Sequence, residues 1–187
     1  MNKTIQRIES YVRASMEKVA APELRIGHGF DHVDRVRGWA LRIARGEGVE
    51  DLTAVEAAAL LHDIGLTRVA VDVRGRHGQV GAEIAGRYLR EAHRFEKETQ
   101  ARITEAIRYH NAPDGGGPLG ALLRDADKLD ALGAVGIMRA FTSTYRLPAF
   151  PRDNVKGETW ALPMAGFEAR FAAGAGIGAT IVDQVNF

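Results

Sequence analysis

The sequence contains no cysteine. A disulfide scaffold, a thiolate zinc site and a cysteine nucleophile are therefore excluded, and any metal must be held by nitrogen and oxygen ligands. Long apolar runs are also missing. The longest, Ala57 to Leu61, falls far short of the ~20 residues of a membrane span. The N-terminal stretch MNKTIQRIESYVRASMEKV lacks the apolar core of a signal peptide. Nor is there an excess of charge: 25 basic and 24 acidic residues leave a net +1, so nothing global argues for a nucleic-acid polymer as partner. A small anionic substrate stays compatible, because a pocket can be basic on a neutral protein. These absences predict a cytoplasmic protein without a membrane partner. At 187 residues, 45% hydrophobic and 26% charged, the chain reads as one globular domain spanning 1–187.

What is present is mostly helical periodicity. Ile5, Ile8, Val12 and Met16 recur at helical spacing, which predicts a helix from Asn2 to Val19, with Pro22 ending that region. Asp31 reads as the cap of a helix from His32 to Gly46. Asp51 or Thr53 caps another from Ala54 to Ile64, with Gly65 as its stop. Thr67, Val69, Val71 and Val73 alternate in a strand-like manner, but a lone strand in a helical chain reads better as a loop. Further helices are expected over Gly78 to Ala92, Glu96 to His110, and Leu119 to Phe141 with a break near Gly133. Residues 142–163 read as a long connection, and Gly166 to Phe187 as a last helix interrupted by glycines. The fold class that follows is all-α, a single-domain helical bundle.

Three segments carry chemistry. Ala-Ala-Ala-Leu-Leu-His-Asp-Ile-Gly, residues 57–65, places a His-Asp pair at the end of a very apolar helix. A buried aspartate costs several kcal/mol unless compensated, and a divalent cation compensates it well. The plainer alternative is that His62 and Asp63 bond each other or a helix end. Asp-His-Val-Asp-Arg-Val, residues 31–36, puts His32 at the start of an apolar-faced helix. Asp-Ala-Asp-Lys-Leu-Asp-Ala-Leu-Gly, residues 125–133, places three acids in a periodic helix, with Asp130 able to share the face of Asp127. All three can converge in a bundle core.

These segments, in this order, resemble the HD-domain superfamily of metal-dependent phosphohydrolases, over about Gly27 to Thr142. The family pattern of a histidine, a His-Asp pair and a distant aspartate is matched by His32, His62, Asp63 and Asp127, which the resemblance implies are metal ligands. The segment beginning at Asp125 is most similar to a group of small bacterial proteins, some of them nucleotide pyrophosphohydrolases. The implied activity is hydrolysis of a small phosphorylated substrate, a nucleotide above all, by metal-activated water with Asp63 at the reacting centre. The ligand set suits Mn, Fe, Zn, Co or Ni, and Mg less well.

Other residues remain open at this point. In two-ion HD enzymes, extra histidines near the positions of His77 and His110 bind a second metal; here these two either do so with Asp63 or meet phosphate or water. Arg35 and Lys128 are the candidate phosphate-binding cations, each alternatively a solvated charge. Asp130 reads as an acceptor that orients a ligand histidine or binds Lys128. Asp72 and Glu83 are candidate general acids or bases, His28 a residue of the pocket mouth, and His93 solvated surface. The glycines at 115–117 read as a connector, not a phosphate loop, since no Lys-Ser/Thr follows. A homodimer is the prior for a small enzyme. The competing classes are a non-catalytic metal- or nucleotide-binding sensor or scaffold module, and a hydrogen-bonded polar core without metal.

Overall fold

A computed structural model describes residues 2–19, 21–69, 75–92, 95–143, 147, 148, 154, 156–175 and 178–186. Among these residues there is no strand, and the expected all-α class holds. No helix among the described residues is long and apolar enough to cross a membrane. Asp72 and His93, and the strand-like Val71 and Val73, lie outside the described residues. The chain divides into two compact units, Met1–Asp130 and Ala131–Phe187.

The first unit is built around α4, Leu52–Leu61. Asp51 caps it, its side chain accepting from the Ala54 N–H at 3.0 Å. Ala57 through Leu61 are all fully buried. A helix that is apolar on every side has to be a central one. Accordingly α4 packs against α1 (Lys3–Met16), α3 (Phe30–Gly46), α6 (Lys97–Tyr109) and α7 (Gly117–Leu129), while α5 (His77–Ala92) packs on α6. The apolar stripe Ile5, Ile8, Val12 and Met16 of α1 is buried as its spacing predicts. Each such side chain contributes roughly 1.5–3 kcal/mol of burial.

Three boundaries differ from the sequence expectation. Pro22 does not end a region; it opens a short helix, α2 (Pro22–Gly27), at the position where its fixed φ and missing N–H cost nothing. Asp31 is not the cap of α3: the helix begins at Phe30 after Gly29, and Asp31 lies in the first turn, where its charge still favours the helix dipole. Gly65 is not a helix stop either. Helix α4 ends at Leu61, and Gly65 sits in a 3-10 turn, Ile64–Thr67. A Cβ at Gly65 would run into the backbone carbonyl of His77 and the Gly81 nitrogen. The glycine is there so that the start of α5 can lie directly on the turn that follows the His-Asp pair.

In the second unit α8 (Gly133–Ser143) packs with α10 (Ile181–Asn186). The expected C-terminal helix is instead two, α9 (Met164–Ala172) and α10. Between them Gly174 and Gly178 have positive φ of 73° and 140°, conformations that break a right-handed helix. The buried Asp183 carboxylate ties this unit together. Its Oδ1 accepts from the N–H groups of Glu158 (2.7 Å) and Thr159 (3.1 Å), and its Oδ2 accepts from the Thr180 hydroxyl (2.6 Å).

Candidate metal centre

Six elements of the first unit deliver side chains to one place. Helices α4 and α6 do it in the same way. Each ends on a histidine whose Nδ1–H donates to the carbonyl three residues back: His62 to Ala59 at 2.7 Å and His110 to Ile107 at 2.7 Å. That bond satisfies one of the orphan carbonyls of a helix end. It also settles the tautomer, because a carbonyl only accepts, so Nε2 of each ring is left as a lone pair. His32, in the first turn of α3, is fixed likewise: its Nδ1–H donates to Asp130 Oδ2 at 2.8 Å. Asp130 caps the end of α7, and Asp127 stands in the last turn of that helix.

The four residues of the sequence pattern are therefore neighbours. Nε2 of His32 lies 3.3 Å from Nε2 of His62, 3.3 Å from Asp127 Oδ1 and 3.5 Å from Asp63 Oδ2. Nε2 of His62 is 3.5 Å from the same Asp63 oxygen. His32, His62 and Asp63 are buried, and the Asp127 side chain is 30% exposed, so the cluster opens on that side. Asp63 has a second aspect. Its Oδ1 lies 3.1 Å from His77 Nε2 and 3.5 Å from His110 Nε2.

The chemistry of this set fits a cation. Two ring nitrogens and two carboxylates converge, and the Nε2 of His62 is held as a lone pair. Acceptors packed this closely repel unless something positive lies among them. Ligand atoms of His32, His62 and Asp127 lie within 4.8 Å of one another, as do those of His62, Asp63 and His110. Protonation behaviour follows the same logic. Burial pushes His32 down, but its hydrogen bonds to Asp127, Asp130 and Asp63 outweigh this and raise its pKa to about 10. Burial dominates at His62, which falls to about 4. Burial raises Asp127, yet the hydrogen bond and charge of His32 hold it well below the carboxylate range. Asp63 is likewise raised by burial and brought well below 3.8, chiefly by the charges and hydrogen bonds of His62, His110 and His28. Two ionised carboxylates thus face one protonated histidine, a shortfall of positive charge that a metal would meet.

The remaining candidates separate. Arg35 is engaged by Asp130: Nε donates to Oδ1 at 2.6 Å and a terminal nitrogen to Oδ2 at 3.1 Å. It thus stands behind His32 in a chain Arg35–Asp130–His32, and Asp130 takes the orienting place rather than binding Lys128. Lys128 is exposed on α7 and forms no ion pair among the described residues; Glu83 is exposed on α5. His77 and His110 both reach Asp63. His28, read from sequence as rim, is closer in than that: it caps the end of α2 and its Nδ1 lies 3.0 Å from Asp63 Oδ2. Its spacing of four from His32 was the available signal, obscured by Gly27 and Gly29 on either side. Asn111 was missed entirely; its amide nitrogen lies 3.4 Å from His77 Nδ1. The glycines 115–117 all have positive φ and lead into α7, and Arg124 bonds the Gly115 carbonyl at 2.7 Å.

Comparison with known proteins bears on the same residues. Positions 29–132 match the family model described as HD domain. Among curated proteins, the uncharacterized protein YpgQ of Bacillus subtilis is 36% identical over 122 residues, 62% of this chain and 56% of that protein. The chain's match thus spans little more than half the length of that relative. Among solved structures, a predicted HD superfamily hydrolase from an uncultured Thermotogales bacterium is 34% identical, with a TM-score of 0.61 over 78% of this chain and 83% of that one. A Lactobacillus plantarum protein is 25% identical with a TM-score of 0.61, covering 91% and 81%. Crystalline YpgQ itself superposes with a TM-score of 0.54 at 24% identity, covering 90% and 78%, which speaks to the fold alone.

Proposed function

The chain belongs to the HD-domain family, and on that premise we propose that it is a metal-dependent phosphohydrolase acting on a small phosphorylated substrate, with a nucleotide first among the candidates. The observation that carries this is the convergence of the His32 and His62 Nε2 atoms with Asp63 and Asp127. His32, His62, Asp63 and Asp127 would hold the ion, in place of the proton that His32 otherwise shares with Asp127 and Asp63. Imidazole and carboxylate together favour Mn, Fe, Zn, Co or Ni over Mg. When bound, such an ion polarises a phosphoryl oxygen and makes water nucleophilic at neutral pH.

The rest falls to the protein's own side chains. Asp130 keeps the His32 proton on Nδ1, so that Nε2 faces the centre. Arg35 keeps Asp130 in place by its two-pronged bond. Lys128, exposed and next to Asp127 in the chain, would be the cation that meets a phosphate group. His28 donates to Asp63 Oδ2 and steadies the carboxylate.

The test is phosphate and pyrophosphate release from a panel of NTPs, dNTPs and NMPs, with Mn²⁺ added to metal-stripped protein. Pyrophosphate release identifies a nucleotide pyrophosphohydrolase, and orthophosphate from monophosphates a nucleotidase. Asp63→Ala should abolish turnover; full activity in a folded Asp63→Ala protein would end this reading. Tight nucleotide binding without product, metal loaded, would mark the chain as a sensor module instead.

A further inference from the structure

Helix α8 is built inside out. Ala134, Ile137, Met138 and Phe141 follow the i, i+3, i+4, i+7 spacing that in a surface helix marks the face turned to the core. Here that face is exposed: Ile137 keeps 46% of its surface, Met138 63% and Phe141 48%. The side turned inward carries small residues instead. Gly136 is buried and Ala140 half-buried, and a Cβ on Gly136 would strike the Ala131 carbonyl. Leu132 and Val135 extend the exposed face, at 65% and 46%. The asymmetry is regional: among the described large hydrophobic residues that stay exposed, only Ile26 and Tyr109 belong to the first unit.

A contiguous apolar face of this kind marks a binding surface. Charge, shape and size identify what covers it. No charged residue stands between Asp130 and Arg139, and Arg139, the one charge in α8, falls on the side away from the stripe. A partner of different sequence is ordinarily selected by complementary charge, and a lipid surface by basic residues beside the apolar face. The α8 stripe offers neither. It does match itself. Two α8 helices laid antiparallel about a two-fold axis between Ile137 and Met138 set Ile137 of each against Met138 of the other, and Phe141 of each against Ala134 of the other. The largest side chain of the stripe then falls on its smallest, which is the self-complementarity that an isologous contact requires. The area is sufficient as well. A large side chain carries on the order of 200 Å², so five at these exposures offer roughly 500 Å² per copy. The pair buries about 1,000 Å², the lower bound of a specific interface.

We propose that α8 is a homodimerisation face, on which a second copy of this chain packs its own α8 antiparallel, Ile137 against Met138 and Phe141 against Ala134. The pairing does not depend on what the histidine–aspartate cluster of the first unit binds.

An interface of this size associates in the micromolar range, so the test is sedimentation velocity of the full chain from about 1 to about 100 µM. The wild type is expected to pass from monomer to dimer across that range. Ile137→Lys and Met138→Glu each bring an unpaired charge into the face, repeated by the two-fold axis, and should each raise Kd about 100-fold or more. Both positions are exposed in the single chain, so both variants should melt as the wild type does. Mixed in equal amounts, the two variants should form a dimer again, because the new lysine of one chain then faces the new glutamate of the other.

A wild type that stays monomeric throughout the range overturns the proposal, and its co-sedimentation with phosphatidylglycerol vesicles would assign the face to a membrane instead. A dimer that survives both substitutions also overturns it, since that dimer would rest on another surface. A mixture of the two variants that stays monomeric overturns the antiparallel pairing of Ile137 with Met138.

Discussion

Replacing Asp130 with asparagine removes the one acceptor shared by His32 and Arg35. The carboxylate is buried, receives the His32 Nδ1–H at 2.8 Å and is gripped by Arg35 at 2.6 and 3.1 Å. An asparagine of the same shape must turn an N–H toward either His32 or the guanidinium, both of which are donors. His32 then loses both the fixed tautomer and the negative charge that makes Nε2 a better ligand. Outer partners of this kind are worth about 10–100-fold in metal affinity, or about 1.4–2.7 kcal/mol at 1.36 kcal/mol per factor of ten. The assay is competition for Mn²⁺ against a chelating dye, with a melting curve to show that the fold survives. Arg35→Lys should shift affinity the same way by less, since lysine offers a point charge in place of a fork and the Arg35 side chain is already 40% exposed. An Asp130→Asn protein that melts normally and binds Mn²⁺ as tightly as the wild type would refute the reasoning.

Three further outcomes are expected. Chelator should lower the melting temperature of the metal-loaded protein, by a margin worth about 2.7 kcal/mol when free metal had stood at 100 times its Kd; a melt indifferent to chelator would favour a purely hydrogen-bonded cluster. Gly65→Ala should destabilise by roughly 1–3 kcal/mol or more, because its Cβ meets backbone of His77 and Gly81 that cannot swing aside; urea melts measure it. Asp183 has a folded pKa below its ordinary 3.8: burial raises it, but hydrogen bonds from Thr180, Thr159 and the Glu158 N–H outweigh that. A lowered folded pKa means stability that is present above the unfolded value and lost as pH falls through the folded one. Acid titration of the second unit should therefore show a loss below about pH 4 that is absent in Asp183→Asn, followed by the fluorescence of Trp160.

The sequence by itself determined the helical class, which is local in origin: helical period is written in neighbours three and four apart. His32, His62, Asp63 and Asp127 were singled out by the resemblance of their segments to the HD-domain family, while the residues alone showed only polar groups whose burial has to be compensated. The apolar run ahead of His62 and Asp63 already implied that the pair is buried, and the structure places α4 at the core for that reason. Tertiary structure alone decided what each of the other polar residues does. Arg35 was a plausible phosphate ligand by charge, and became the partner of Asp130, 95 positions away. His28 looked like loop, and its distance to Asp63 depends on how α2 is seated. Gly65 looked like a helix stop, and its role comes from the α5 backbone lying on it. Asn111 had no signature at all. Which nitrogen of a histidine bears its proton is set by whatever lies behind the ring, and that is a property of packing between helices, which no spacing within one of them can report.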